Sequence, residues 1–505
     1  MVASAHNLAT AAGVEILEEG GNAFDAAVAV AFALSVCEPA ASGLGGQSML
    51  LIREASSGRV LALDGSSRAP HRVPPGEVPQ EDLFRGHRAC TVPSTPAVLG
   101  YVLGHYGSLP LDRVLEPAIR IAGKGYPITQ LQHDLAKRER YHLAAGTASR
   151  LFLKEGKHLY RVGEPFQQPV LANTLKRLAS AGIEDFYRGD IAQQIHDDME
   201  RHDGFIRLDD LAQIPWPLVR QPLETSFNGD KIFAFGPPGA GRVLIEMLNV
   251  LDSFSVEERD PDTAHGALLI ANVVRRGQLD RHDRPFDPHF YWQVADERML
   301  NREYAEQLAV TLRARIGNGS GETTHLSVMD RHGNIAGLTQ SIERVYGAYA
   351  ASPELGFLYN NYLSAYEHHD ITHPHYLRPN ASPWASVSPT IVYRNGRPWA
   401  VLGSPGSERI ASTVAQVLLR LERHSPFDAV DAPRLHCSID GVVHLEGARM
   451  RDDIPPLLEK YGLEVKMRDP YSFYLGCMAL VLHEGDEFIG VADPRRDGSA
   501  AGPHQ

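Results

Sequence analysis

Apolar residues recur in two spacings along this chain, and each spacing predicts a different element. Leu8, Ala12 and Ile16 fall on every fourth position, one face of a helix, and Gly20-Gly21 supplies a stop. Asn22 then stands at a helix cap, with Asp25 three residues on in the capping-box position. The helix that follows, through Val36, is apolar on every side and is expected to be buried. Ser42-Gly-Leu-Gly-Gly-Gln47 reads as a glycine-rich turn feeding a strand, Ser48 to Arg53. The proline-rich stretch from Ser66 to Glu81 reads as an irregular loop. Helical periodicity returns around 110–124, 170–183, 190–202, 242–253, 265–280 and 298–315.

Strand signals dominate later. Residues 316–322, Ile-Gly-Asn-Gly-Ser-Gly-Glu, form a flexible-looking segment, and Thr323-Thr-His-Leu-Ser-Val-Met-Asp330 follows as a β-rich run. A turn at Arg331-His-Gly-Asn334 leads to a second strand, Ile335 to Ile342, which predicts a β-hairpin whose first residue is Thr323. Further strands are expected at Ser388–Tyr393, Trp399–Gly403, 439–446 and 477–492, with a long helix from Arg409 to His424. Helices and strands in this mixed order predict a layered α/β or α+β protein. The 505 residues permit about three domains, yet no repeat, low-complexity linker or charge block marks a boundary.

Composition narrows the function. With 49 Lys+Arg against 62 Asp+Glu the formal charge is −13, which argues against a general nucleic-acid binder. The longest nearly pure apolar run, Ala26 to Cys37, is shorter than the roughly 20 residues a membrane span requires. Cys37, Cys90, Cys437 and Cys477 lie far apart and form neither a zinc ribbon nor a disulfide framework. Met1-Val-Ala-Ser-Ala-His lacks the basic and apolar regions of a signal peptide, so a cytoplasmic protein is the simplest expectation.

The junction at Thr323 carries candidate chemistry. A threonine hydroxyl attacks a carbonyl only when a base takes its proton. An N-terminal threonine brings that base with it, because a free α-amino group titrates near ~7.7–8. An internal threonine does not, so the chain would have to be cut at Glu322–Thr323 first. Local composition alone leaves Thr-Thr as ordinary strand residues.

A longer series of motifs changes the weight of that junction. They include Gly20-Gly-Asn-Ala-Phe-Asp-Ala-Ala-Val, Ser42-Gly-Leu-Gly-Gly, Val92-Pro-Ser-Thr-Pro and Pro237-Pro-Gly-Ala-Gly. Thr323-Thr-His-Leu-Ser-Val, Ser386-Val-Ser-Pro-Thr, Gly403-Ser-Pro-Gly-Ser and Ala492-Asp-Pro-Arg-Arg-Asp-Gly complete the series. In this order the chain resembles the γ-glutamyltransferase family of N-terminal-nucleophile hydrolases over nearly its whole length. The resemblance implies an α+β fold, a four-layer αββα sandwich. It also implies a precursor that cleaves itself into a large subunit, 1–322, and a small one, 323–505, which stay together as a heterodimer or a dimer of such pairs. The family's nucleophile maps onto Thr323 and its supporting hydroxyl onto Ser341, a serine where many members have threonine. The oxyanion-binding N–H groups map onto Gly406 and Ser407. No cofactor and no metal are implied, and the expected partner is a small-molecule substrate.

The resemblance weakens at the clamp that holds a γ-glutamyl group. The family's carboxylate-binding arginine aligns with Ser66, with Arg68 two positions away. Its asparagine after the supporting hydroxyl is Glu343, its glutamine is Tyr362, and the aspartate for the amino group is Ala365. Of its paired serines only Ser386 survives. Ser66, Arg68, Glu343, Tyr362 and Ser386 are therefore the candidate substrate-binding residues, and glutamyl recognition is expected to be lost. The variant looks like the branch containing oxamate amidohydrolase. A second diverged branch, from alkylproline-antibiotic biosynthesis, performs hydrolytic C–C cleavage. Hydrolysis of an amide or related acyl bond of a small carboxylic or oxo acid is the leading expectation; true γ-glutamyl transfer, C–C hydrolysis and an inactive binding relative are the alternatives. Glu367-His-His-Asp370 with His373 and His375 matches no standard zinc spacing and is read as a polar lid beside the site.

Overall fold

Alternate positions along the strands sort the core into layers. On Gln47–Arg53, Leu50 and Ile52 pack among helices while Met49 and Leu51 face a second sheet. On Arg397–Gly403, Ala400 and Leu402 meet a different set of helices while Val401 faces the first sheet. A period of two, buried on both faces, is what places a strand between two layers. The computed structural model describes residues 1–283, 297–311 and 323–503, and within them the architecture is the expected αββα sandwich.

One sheet has seven antiparallel strands in the order Ser499–Ala501, Val2–Ser4, Thr324–Met329, Ile335–Ser341, Gln47–Arg53, Val60–Gly65 and Leu218–Arg220. The other has six: Glu487–Ala492, Ala479–Glu484, Arg397–Gly403, Thr390–Arg394, Asp230–Ala234 and Leu223–Phe227. Helices Asn7–Glu18, Ala23–Cys37, Thr95–Tyr106, Leu111–Lys124 and Pro169–Ala181 cover the first. Gly241–Leu251, Ala264–Asp283 and Arg409–Arg420 cover the second. No helix among the described residues is long and apolar enough to cross a membrane.

Ala23–Cys37 is buried along its whole length, and Asn22 and Asp25 form the expected capping box. It packs directly on the hairpin strands Thr324–Met329 and Ile335–Ser341. The hairpin itself begins one residue later than expected, since Thr323 precedes the first ladder residue instead of opening it. The helix from Arg409 ends at Arg420, not His424. The 298–315 periodicity divides into a short 3-10 turn, Glu297–Leu300, and a helix, Arg302–Thr311; residues 312–315 and the segment 316–322 lie outside the described residues.

Between the sheets, two residues after Thr323, a buried histidine is satisfied by two hydroxyls. His325 is buried, hydrogen-bonded to Thr339 Oγ1 at 2.8 Å and Ser327 Oγ at 3.1 Å, and desolvation pulls its pKa down to about 3. Its ring lies against Gly403, where a Cβ would sit 2.3 Å from it. His325 is thus a neutral packing residue.

Asp330 ties the hairpin to the buried helix. Its carboxylate accepts from Ala23 N at 3.0 Å, His332 N at 2.9 Å, and Asn334 N and Nδ2 at 3.0 and 2.8 Å. Asp330→Ala leaves the buried Ala23 N–H without its acceptor and is expected to lower unfolding free energy by about 3 kcal/mol. Denaturant unfolding of Asp330→Ala beside Asp330→Asn measures it, the asparagine variant losing less.

Candidate active site

The hairpin register builds the site from both strand ends. Thr324 pairs with Gln340, so Thr323 and Ser341 stand across from each other where the ladder finishes. Both are buried, and Thr323 lines a cavity of about 670 Å³. Its carbonyl accepts from Arg496 Nη2 at 2.9 Å, and Arg496 also donates to Glu38 at the end of the buried helix. The Thr324 hydroxyl donates to the other Glu38 oxygen. Burial raises the Glu38 pKa, outweighing the opposing pull of Arg496 and Thr324. The backbone at Thr323 is therefore held from two sides by groups distant in sequence.

Ser341 Oγ accepts from Glu343 N at 2.9 Å and shares a hydrogen bond with the Tyr362 hydroxyl, which also bonds Gln47. Gly406 and Ser407 form the turn before the helix Arg409–Arg420, with Arg409 N donating to Gly406 O at 3.0 Å and Ile410 N to Ser407 O at 2.9 Å. Neither Gly406 N–H nor Ser407 N–H donates to a described group of the protein. Free N–H donors at a helix N-terminus suit a developing oxyanion. Both residues have positive φ, 121° and 51°. Glycine adopts this freely, whereas a serine in the left-handed region is strained.

Of the candidate substrate-binding residues, Glu343, Tyr362 and Ser386 line the same cavity as Thr323 and Ser407, and Ala365 is there too. Ser66 and Arg68 are not among its lining residues. The Ser66 hydroxyl donates to Asp64 Oδ1 at 2.6 Å, and Arg68 Nη1 donates to Ser382 Oγ at 2.8 Å. Glu367, Asp370 and His373 border the cavity, so the acidic and histidine-rich loop does sit beside the site. The three-residue group of metal-ligand type among the described residues is elsewhere: His87, Asp198 and His202. There Asp198 Oδ2 bonds His87 Nε2 and the Tyr359 hydroxyl, both at 3.1 Å.

Sequence reasoning missed two charged residues of this cavity, Arg281 and Glu408. Arg281 ends a helix whose periodicity is plain, but nothing local points its side chain toward Thr323. Its guanidinium donates to Ser386 Oγ at 3.1 Å and the Ala385 carbonyl at 2.5 Å, and stacks 4.7 Å from the Trp384 ring centre. Glu408 stands at the cap position of the helix Arg409–Arg420, where burial raises its pKa. Burial pushes the Glu343 carboxyl up to about 7, opposed by Arg344 and Arg281 and reinforced by Glu408.

Two outcomes follow from this geometry. Glu343 is neutral below pH 7 and gains its charge as pH rises through 7, so turnover of an anionic substrate falls across that step while a neutral one is little affected. The wild-type to Glu343→Gln ratio of kcat/KM between pH 5.5 and 8.5 isolates this from titration of the nucleophile's amine. Ser407→Gly relieves the left-handed strain, raising stability by up to about 1 kcal/mol in thermal or denaturant unfolding, with activity retained because the donor is backbone.

Comparison with known proteins agrees with this geometry. The family model for gamma-glutamyltranspeptidase matches residues 9–503. The glutathione hydrolase proenzyme of Escherichia coli is 30% identical, covering 98% of this chain and 90% of the relative. The acylase ACY 1 proenzyme of Pseudomonas sp. SE83 is 31% identical, covering 99% and 92%. The crystal structure of cephalosporin acylase from Bacillus halodurans superposes with a TM-score of 0.90 at 27% identity, covering 100% of this chain and 96% of that one. The chain belongs to the gamma-glutamyltranspeptidase family and is a hydrolase or acyltransferase of the N-terminal-nucleophile type.

Proposed function

We propose that the protein cuts its own chain at Glu322–Thr323 and then hydrolyses an amide or related acyl bond of a small carboxylic or oxo acid. The new α-amino group of Thr323 takes the proton from its hydroxyl, and the oxygen attacks the substrate carbonyl. Gly406 and Ser407 N–H groups hold the oxyanion, Ser341 supports the nucleophile, and the amine returns its proton to the leaving group. Water then attacks the acyl-threonine by the reverse proton route and frees the acid. Glu322 lies outside the described residues.

The observation that carries this reading is the convergence on one cavity of Thr323 and Ser407, the second residue of a helix-terminal turn whose Gly406 and Ser407 N–H groups donate to no described group. The sheet order supports survival of a cut chain. Thr324–Met329 lies between Val2–Ser4 and Ile335–Ser341, and Ile335–Ser341 pairs with Gln47–Arg53, so residues 1–322 and 323–505 alternate in one hydrogen-bonded sheet. Hydrolysis of a non-glutamyl acid is favoured over γ-glutamyl transfer by Ala365, which offers no charge to an amino group, and by Ser66, turned onto Asp64. Similarity to the E. coli glutathione hydrolase favours the γ-glutamyl reading and makes it the one to test beside the first.

On a denaturing gel the 55.5 kDa chain, divided in proportion to length at residue 322, yields bands of about 35 and 20 kDa. Thr323→Ala stays as one band and loses turnover. A folded wild type that remains uncut refutes the nucleophile assignment. Release of aniline from γ-glutamyl anilide, set against a panel of small-acid amides including oxamate, separates the two substrate readings.

A further inference from the structure

The cavity that Thr323 lines contains a buried arginine without an ion pair among the described residues. Arg281 is 6% exposed, and Glu343 and Glu408 act on it only through longer-range attraction. Burial lowers its pKa to about 10, which leaves it charged at neutral pH. A buried charge is costly unless it is paired, and the cation–π contact with Trp384 offsets only part of that cost.

The guanidinium has five N–H donors, and two are committed to described groups, Ser386 Oγ and the Ala385 carbonyl. Ser386, having accepted from Nη1, keeps its own hydroxyl proton for donation. Arginine and serine side by side thus present a planar set of donors matched to a carboxylate. Glu343, Glu367, Asp370 and Glu408 border the same space, so each added negative charge on a ligand is disfavoured and a single carboxylate is disfavoured less than phosphate or sulfate.

We propose that Arg281 with Ser386 forms a carboxylate-binding fork, and that the compound reacting at Thr323 is an acyl substrate carrying one free carboxylate. The inference takes from the preceding reading only that Thr323 reacts in this cavity. The fork is not the site expected from sequence: the arginine comes from the end of Ala264–Asp283 and not from the loop after Val60–Gly65.

The test has a binding arm and a kinetic arm, both on the full protein as it is purified. By calorimetry, butyrate, pyruvate and glutaramate bind, while butyramide and glutaramide bind far more weakly. Arg281→Met weakens the carboxylates by about 30-fold or more and leaves the neutral amides unchanged. In kinetics, the monoanilide of glutaric acid is preferred to valeranilide, its neutral counterpart. Arg281→Met removes that preference, chiefly through KM, and Arg281→Lys restores part of it. Where Arg281→Met fails to fold, Ser386→Ala supplies the test, with a loss of about 3- to 10-fold confined to carboxylates. Equal binding of acids and amides by the wild type, or equal loss for charged and neutral compounds in the variants, overturns the proposal. An uncut chain that still binds carboxylates through Arg281 defeats the nucleophile reading alone. A cut, active enzyme indifferent to substrate charge defeats the fork alone.

Discussion

A buried ion pair holds the nucleophile's end of the central sheet. Arg496 donates to Glu38 and to the Thr323 carbonyl, while Thr324 donates to the other Glu38 oxygen. These contacts join the end of the buried helix, the start of the reactive strand and the C-terminal region. Removing one member of such a pair leaves a buried charge uncompensated, typically at several kcal/mol. The arrangement therefore constrains where Thr323 can stand before and after any cut, because none of its partners depends on the bond to residue 322.

The strand order makes the same point on a larger scale. Val2–Ser4 is flanked by Thr324–Met329 and by Ser499–Ala501, so the chain's first described strand lies beside the one that follows Thr323 and its last described strand lies one position further out. Asp330 adds a carboxylate link from the hairpin to the start of the buried helix. Stability at the site is thus a property of long-range pairing.

Sequence periodicity captured what is local. The capping box at Asn22 and Asp25, the all-round apolar helix and the Thr323 hairpin each follow from neighbouring residues. The three-residue strands Val2–Ser4 and Leu218–Arg220 carry no period long enough to read, and exist because other strands pair with them. The left-handed φ of Ser407 is invisible for a similar reason, since its neighbours in space set it. Arg281 and Glu408 reach the cavity from two different helices, a convergence only the assembled layers create. Motif resemblance named Thr323 and Ser407, which do line the cavity. It located substrate contacts less well, since charged side chains can arrive from any element that borders the cavity.

That freedom explains how the site can change specificity and keep its chemistry. Near the loop after Val60–Gly65, Ser66 and Arg220 both bond to Asp64, and neither Arg68 nor Arg220 is among the residues that line the cavity. A positive charge stands instead on Arg281, across from Glu343 and Glu408, whose carboxyl pKa values burial raises. Glu367 and Asp370 border the same cavity with their carboxyls held below the usual range, so acidic groups outnumber that guanidinium. The charge of the cavity therefore changes as Glu343 titrates near 7. Thr323 and the Gly406 and Ser407 N–H groups stand outside that balance, being positioned by the sheet and by a helix terminus. The charged wall of the cavity and these positions are in this way built by different structural elements, and one can change in sequence while the other is held by the fold.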